Sequence, residues 1–381
     1  MARNIVILLD GTSNEIETDR SNILRLYGTL NKTARQIVYY DPGVGTFGAD
    51  NAWSRTIRKA YELWGLVSGW GLDNNVLEAY RFLVKTYRSD GIGGADRIHI
   101  FGFSRGAYSA RVLAGFLHGF GLIERRNLNL AGYAYRAYKR VGETEDKKGL
   151  AELRLHQRVL QPSRPAIKLL GLFDTVGSVI ESGRFGPRFK KHAFTSCNPS
   201  VETVRHAVAL NERRRMFRPE LWPKGQMVVA AGPDAEKPVE QDVKEVWFSG
   251  VHSDVGGGYP ESQSHLAKIP LDWMITESAP FGLDYNEDLV KSLVRGEGAA
   301  TTYVAPDPTQ PPNESMSIAW RLLEYLPRKR SGTTAKGSLL GYTISPCEWR
   351  SVPEEACIHD SVFEQESLPP NLPRQRRFRP G

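Results

Sequence analysis

The chain has 381 residues, 40% of them hydrophobic, which is enough to bury a large core within one principal domain. Its 50 basic and 43 acidic side chains leave a net charge of +7, a mild bias toward anionic surfaces that falls short of a specific nucleic-acid footprint. Three scattered cysteines (Cys197, Cys347, Cys357) exclude a disulfide framework or a zinc module, so a reducing compartment fits and neither metal nor cofactor is expected.

The chain begins "MARNIVILLDGT", where the apolar run Ile5 to Leu9 is too short for a signal-peptide core and reads as a strand entering a turn. No segment approaches the roughly 18 unbroken apolar residues of a membrane-spanning helix. The expectation is a chain that is cytoplasmic as synthesised. "QIVYYDPGVGT" reads as a second strand. The following "GVGTFG" (43–48) formally matches the dinucleotide fingerprint, but Pro42 separates it from the strand and "ADNAW" opens no amphipathic helix, so nucleotide binding is not expected. Residues 51–71 gather Trp53, Trp64 and Trp70 with Arg55, Arg58 and Lys59. That composition suits a peripheral membrane contact or a lid over an apolar pocket, and equally a packed helix; we place an insertion at about residues 51–72. In "NNVLEAYRFLVKTY", Val76, Leu77, Tyr80, Leu83, Val84 and Tyr87 form one helical stripe.

"RIHIFGFSRGAYSAR" then sets a strand before Gly102-Phe103-Ser104-Arg105-Gly106, a G-x-S-x-G pentapeptide, and a helix whose packed face is Ala107, Ala110, Leu113, Ala114 and Leu117. Glycines flank the serine in such a turn because side chains would collide there, and Ser104 is the candidate nucleophile; a tight turn with an idle serine is the bland alternative. A serine hydroxyl needs a histidine base and an orienting carboxylate. "AIKLLGLFDTVGS" puts Asp174 at the end of a later apolar run, where an N-cap role competes. "ETVRHAVALNERRR" shows Val204, Ala207, Val208 and Leu210 at helical spacing and is expected to be a helix with His206 in a structural role. The run "NERRRMF" is expected to be a solvated helix face.

"KEVWFSGVHSDVGGG" places His252 after a further strand, in the order Ser, Asp, His found in α/β-hydrolases. Among the other histidines, His99 lies within a strand and His118 within a helix. His359, in "CIHDSV", is the rival base, and Asp254 the rival acid. The amide of Arg105 is the expected first oxyanion donor, with Gly11 or Thr12 of "LLDGTSN" as the second and Asp10 bracing that loop. Residues 224–244 and 300–317 read as surface loops. Residues 366–381 read as a basic, Pro-rich tail without a fold of its own. Short apolar strands alternating with helices predict a mostly parallel, doubly wound α/β-hydrolase-like sheet over residues 1–365, with helices on both faces.

Taken in order, "LLDGTSN", "YYDPGVGT", "GFSRGAYSAR", "GLFDTVGS", "HAVALNERRRMF" and "GVHSDVGGGY" resemble the α/β-hydrolase domain of the type VI secretion lipase effectors over about residues 3 to 275. The resemblance implies a triad at Ser104, Asp174 and His252 and favours His252 over His359. It also implies phospholipase A1 or A2 activity on a lipid or small ester, export by a type VI-like route, and a delivery or immunity protein as partner. The alternative from another class is a degenerate hydrolase-fold module that binds anionic lipid or nucleic acid without turnover.

Overall fold

The computed structural model describes residues 2–11, 20–43, 70–89, 94–143, 147–177, 179–183, 186–190, 192–228, 238–298, 302–317, 320–321, 324, 328–329, 342–343, 347–374 and 377–379. Eight strands form the central sheet: β1 (Asn4–Leu9), β2 (Gln36–Asp41), β3 (Arg97–Phe103), β4 (Ile167–Phe173), β5 (Thr203–Ala209), β6 (Asp242–Phe248), β7 (Cys357–His359) and β8 (Arg377–Arg379). Across the sheet they run β8-β7-β6-β5-β4-β3-β1-β2, and every neighbouring pair is parallel. The helices used below are α1 (Asn22–Thr29), α2 (Trp70–Thr86), α3 (Arg105–Gly119), α4 (Ala131–Glu143), α5 (Lys147–Leu160), α6 (His252–Gly256) and α7 (His265–Ser278).

Parallel strands need crossovers, and the crossovers cover both faces of the sheet. Along β1, Ile5, Ile7 and Leu9 join a core with α2, α3 and α4, whereas Val6 and Leu8 join a second core with α1 and α7. Alternate side chains thus enter opposite layers, and the strand reads as one unbroken apolar run because neither face meets water. After β2 the chain crosses back over β1 to build β3 and then proceeds outward in one direction. The crevice at the carboxyl ends of β1 and β3 is therefore the topological switch point, where open α/β sheets place their ligands.

Three expectations need correction. The stretch expected as a helix over 202–215 is β5, a central strand with all seven residues buried. A strand covered on both faces shows no polar alternation, so Val204, Ala207 and Val208 fell at helical spacing by composition alone. The 224–244 loop is shorter than expected: Met227–Val228 pairs antiparallel with Val239–Glu240, and β6 starts at Asp242. In the tail, Arg377–Arg379 pairs in parallel with β7 and forms the outermost strand of the sheet. The described part of the 300–317 segment, residues 302–317, carries no helix or strand.

Candidate active site

Ser104 sits between the last residue of β3 and the first of α3 with φ 56° and ψ −120°. That backbone region is sparsely populated for a residue with a Cβ and costs about 1–3 kcal/mol. The turn is over-determined by its neighbours: Ser104 N–H donates to the Phe173 carbonyl (3.0 Å), and Tyr108 N–H donates to the Ser104 carbonyl (3.2 Å). The flanking glycines are required sterically. A Cβ on Gly102 would lie 2.5 Å from the Gly106 oxygen and 2.6 Å from the Ala107 Cα, and one on Gly106 would overlap the carbonyl oxygens of Leu9 and Asp10. The sequence thus brings α3 down onto the end of β1 and leaves the serine half-buried at the switch point.

This strain is measurable. Ser104→Gly is expected to be about 1 kcal/mol more stable in urea unfolding than Ser104→Ala, because glycine adopts positive φ freely and gives back only part of that gain in unfolded-chain entropy. Equal stability of the two variants counts against a strained turn.

His252 opens α6 just after β6, and its ring reaches both other residues. Nε2 lies 2.8 Å from Ser104 Oγ, and Nδ1 lies 2.5 Å from Asp174 Oδ2. A carboxylate can only accept, so Nδ1 carries the proton and Nε2 presents its lone pair to the serine hydroxyl. The ring is buried between Phe103 and Phe217, each with its centroid 4.8 Å away. Burial pushes the imidazole below its ordinary value of 6.5, against the opposing pull of Asp174, so the resting ring is neutral at pH 7.

Asp174 follows β4 in a strained turn of its own (φ 39°) and is fully buried. Ala209 N–H donates to Oδ1 (2.9 Å), while both nitrogens of the Arg350 fork donate to the carboxylate, Nη1 to Oδ1 at 2.6 Å and Nη2 to Oδ2 at 2.9 Å. Burial alone would raise this carboxyl. Arg350 and His252 outweigh it and hold Asp174 well below the usual carboxylate range. Behind the turn, His206 Nδ1 donates to Glu245 (2.8 Å) and its Nε2 accepts from Thr175 N–H (3.2 Å), a bracing role on a strand where a helix was expected.

Two buried side chains at the site were missed by sequence reasoning. Arg350 stands alone in a Pro- and Glu-rich segment, 176 residues from its partner, and no local pattern marks it. Glu212, in the run read as a solvated face, is fully buried: it accepts from His252 N–H (3.2 Å) and Arg214 Nη2 (2.8 Å). Burial would raise its carboxyl, but Arg214 lowers it to about 2. The Arg214 guanidinium in turn lies 3.8 Å from the Phe217 ring centroid, so the "NERRRMF" charges form a wall beside His252. No local pattern marks Glu212 either: Glu124 also follows an apolar run two residues before an arginine and is exposed.

The remaining candidates are placed as follows. Asp254 accepts from Val251 N–H and from Asn313, which ties the 302–317 loop to the His252 turn and leaves this acid outside the Ser–His–Asp relay. His359 hydrogen-bonds Ser361 and stacks on Phe248. Asp10 accepts from Ser21 Oγ, Tyr40 OH and Gly11 N–H (2.6 Å), so it braces its loop and engages the amide expected as an oxyanion donor. Arg105 begins α3, where the helix field favours negative charge. Thr12, the motif at 44–48 and residues 51–69 lie outside the described residues. Among the described residues, no helix is long and apolar enough to cross a membrane, and no group of three or more His, Cys, Asp or Glu could hold a metal ion.

The chain is similar to several known proteins. Uncharacterized protein YEL023C of Saccharomyces cerevisiae is 34% identical over 230 residues, covering 57% of this chain and 32% of the yeast protein, so the chain spans about a third of that relative's length. A crystal structure of an uncharacterized protein from Pseudomonas aeruginosa is similar with 19% identity and a TM-score of 0.44, over 75% of this chain and 46% of that one. The Tle1 effector bound to the VgrG spike from the type 6 secretion system is similar with 20% identity and a TM-score of 0.36, over 70% and 53%. Residues 3–277 match the family model of the type VI secretion phospholipase effector Tle1-like catalytic domain, and the chain belongs to that family.

Proposed function

We propose that the chain is a serine esterase of the lipase class that cleaves carboxylic esters, with acyl esters of phospholipids at the A1 or A2 position as its substrates. The observation that carries this reading is the unbroken relay from Ser104 Oγ through His252 to Asp174. Ser104 attacks the ester carbonyl as Nε2 of His252 takes its proton, and Asp174 steadies the imidazolium so formed. The tetrahedral oxyanion is held at the start of α3, with the Arg105 amide as one donor. Collapse expels the alcohol, which takes the proton from His252 and leaves an acyl-serine. Water then gives a proton to His252 as it attacks the acyl group, and His252 passes that proton to Ser104 Oγ as the acyl–oxygen bond breaks and the free acid leaves. Membership in a family described as phospholipase effectors supports the lipid class of substrate. Delivery by a spike protein such as the VgrG named with the Tle1 effector belongs to the same proposal.

A fluorophosphonate probe followed by peptide mapping tests the reading, together with a hydrolysis screen over phospholipid vesicles that resolves the acyl position. Labelling at Ser104 with release of fatty acid is expected. No labelling, combined with steeply salt-dependent binding to anionic vesicles or nucleic acid, points instead to a binding module on a hydrolase fold. The pH profile gives a second check. Because burial depresses His252, its neutral base form persists below the ordinary value, so the acidic limb of kcat/KM is expected to have its midpoint below 6.5, and a midpoint above that value contradicts the assignment.

A further inference from the structure

We propose that Arg350 is a positioning residue of the relay: its guanidinium fork fixes the Asp174 carboxylate against His252, so the site is completed by a segment beyond the family-matched residues 3–277. The inference rests on the triad reading above and deepens it.

The geometry is that of a clamp. The two nitrogens that hold Asp174 also donate to backbone carbonyls, Nη1 to Ala209 (2.7 Å) and Nη2 to Phe217. One guanidinium therefore joins the end of β5, the turn whose Phe217 ring packs edge-on to His252, and the acid itself. Arg350 and Asp174 are both buried, so water does not compete for these bonds. A carboxylate has about four acceptor sites, and here they are filled by Ala209 N–H, His252 and the fork. Without the fork, two sites are left empty and the carboxylate can rotate about its Cβ–Cγ bond, drawing Oδ2 away from His252. Lysine cannot replace this function fully, because it offers a point charge where the planar fork matches both oxygens.

The clamp also sets the charge that the imidazole meets. His252 faces Asp174 and Glu212 as anions, Arg214 as a cation, and Asp254 on its own helix; Arg350 cancels the charge of Asp174. With that cation removed, the His252–Asp174 pair carries an uncompensated negative charge and takes up its proton at higher pH, whichever of the two groups holds it.

The experiment measures kcat and KM for wild type, Arg350→Met and Arg350→Lys on p-nitrophenyl butyrate across the acidic limb, with fluorophosphonate labelling alongside. Arg350→Met is expected to lose about 100-fold in kcat with KM changed less than about threefold, and to raise the acidic midpoint by about one pH unit. Arg350→Lys should fall between. If Arg350→Met keeps the wild-type kcat and midpoint, the proposal is overturned while the triad stands. A loss of kcat with an unmoved midpoint marks a purely structural arginine and also overturns it. Should Arg350→Met fail to fold, the neutral Arg350→Gln is measured in its place: a lower kcat with a raised midpoint supports the clamp, and a wild-type kcat or an unmoved midpoint overturns it. Wild-type protein that neither labels nor turns over ester refutes the functional reading as well, which separates the two failures.

Discussion

Ser104→Ala is expected to lower ester hydrolysis by about 10⁴- to 10⁶-fold and to abolish fluorophosphonate labelling, while the protein keeps its fold. The size of the loss follows from the relay acting as a unit: once the hydroxyl is gone, His252 has no proton to take, and only substrate positioning and the main-chain oxyanion donors remain. The retained fold follows from the local geometry. Alanine accepts the same strained backbone, the 3.0 Å bond from residue 104 N–H to Phe173 is a main-chain bond, and the side chain lost is small and half-buried. His252→Ala should lose comparable activity, and the double variant should be little worse than either single one, because both substitutions break the same proton path. Additive losses in the double variant, or residual labelling of Ser104→Ala, would place the nucleophile elsewhere. The measurement therefore separates a shared mechanism from two unrelated injuries.

The parts of this site that were legible in the sequence share a physical origin. A parallel strand buried on both faces must be apolar until it leaves the sheet, so the residue after the run stands at the catalytic edge; Ser104 and Asp174 directly follow such runs, and His252 comes after a short turn beyond β6, of which only Val246, Trp247 and Phe248 are buried. Glycines at 102 and 106 were legible because backbone approaches to Ala107 and β1 leave no room for any other residue. The same property hid β5. "TVRHAVA" is as continuously buried as β3, and a seven-residue run has too few positions to separate a period of 3.6 from one of 2. His206 was consequently put on a helix, although its structural role, bracing Thr175 through Glu245, was the one expected.

Buried charge was the least legible feature. Arginine and glutamate in a polar run are mostly solvated, and nothing local separates Glu212, which is fully buried against the His252 backbone, from exposed acids such as Glu124. What decides burial there is a distant partner. Asn313 and Ser315 reach Asp254 and Glu212 from the 302–317 loop, and Arg350 reaches Asp174 across 176 residues of chain. These contacts come from residues that carry little hydrophobic pattern, so their place in the fold depends on long-range ion pairing and not on periodicity.

Asp174→Asn is expected to have the largest combined effect, with an activity loss of about 10⁴-fold and a destabilisation of about 3–5 kcal/mol. The activity term arises because an amide can offer His252 an N–H where Nδ1 needs an acceptor, which favours the wrong tautomer and takes the lone pair away from Ser104. The stability term arises because the substitution leaves the Arg350 guanidinium buried beside a neutral group, with Ala209 N–H competing for the same amide oxygen. The pH dependence has a defined sign. Asp174 is held below its ordinary value of 3.8 in the folded protein, so its stabilising contribution is present in full above that value and is lost as the pH falls through the folded value. The stability gap between wild type and Asp174→Asn should therefore be constant near neutrality and narrow at pH below 3.8. Adding Arg350→Met to Asp174→Asn removes the stranded cation, so the double variant should be less destabilised than the sum of the two single ones. Urea unfolding of the four proteins reads this coupling directly, and strict additivity would show that the fork contributes nothing to holding the acid.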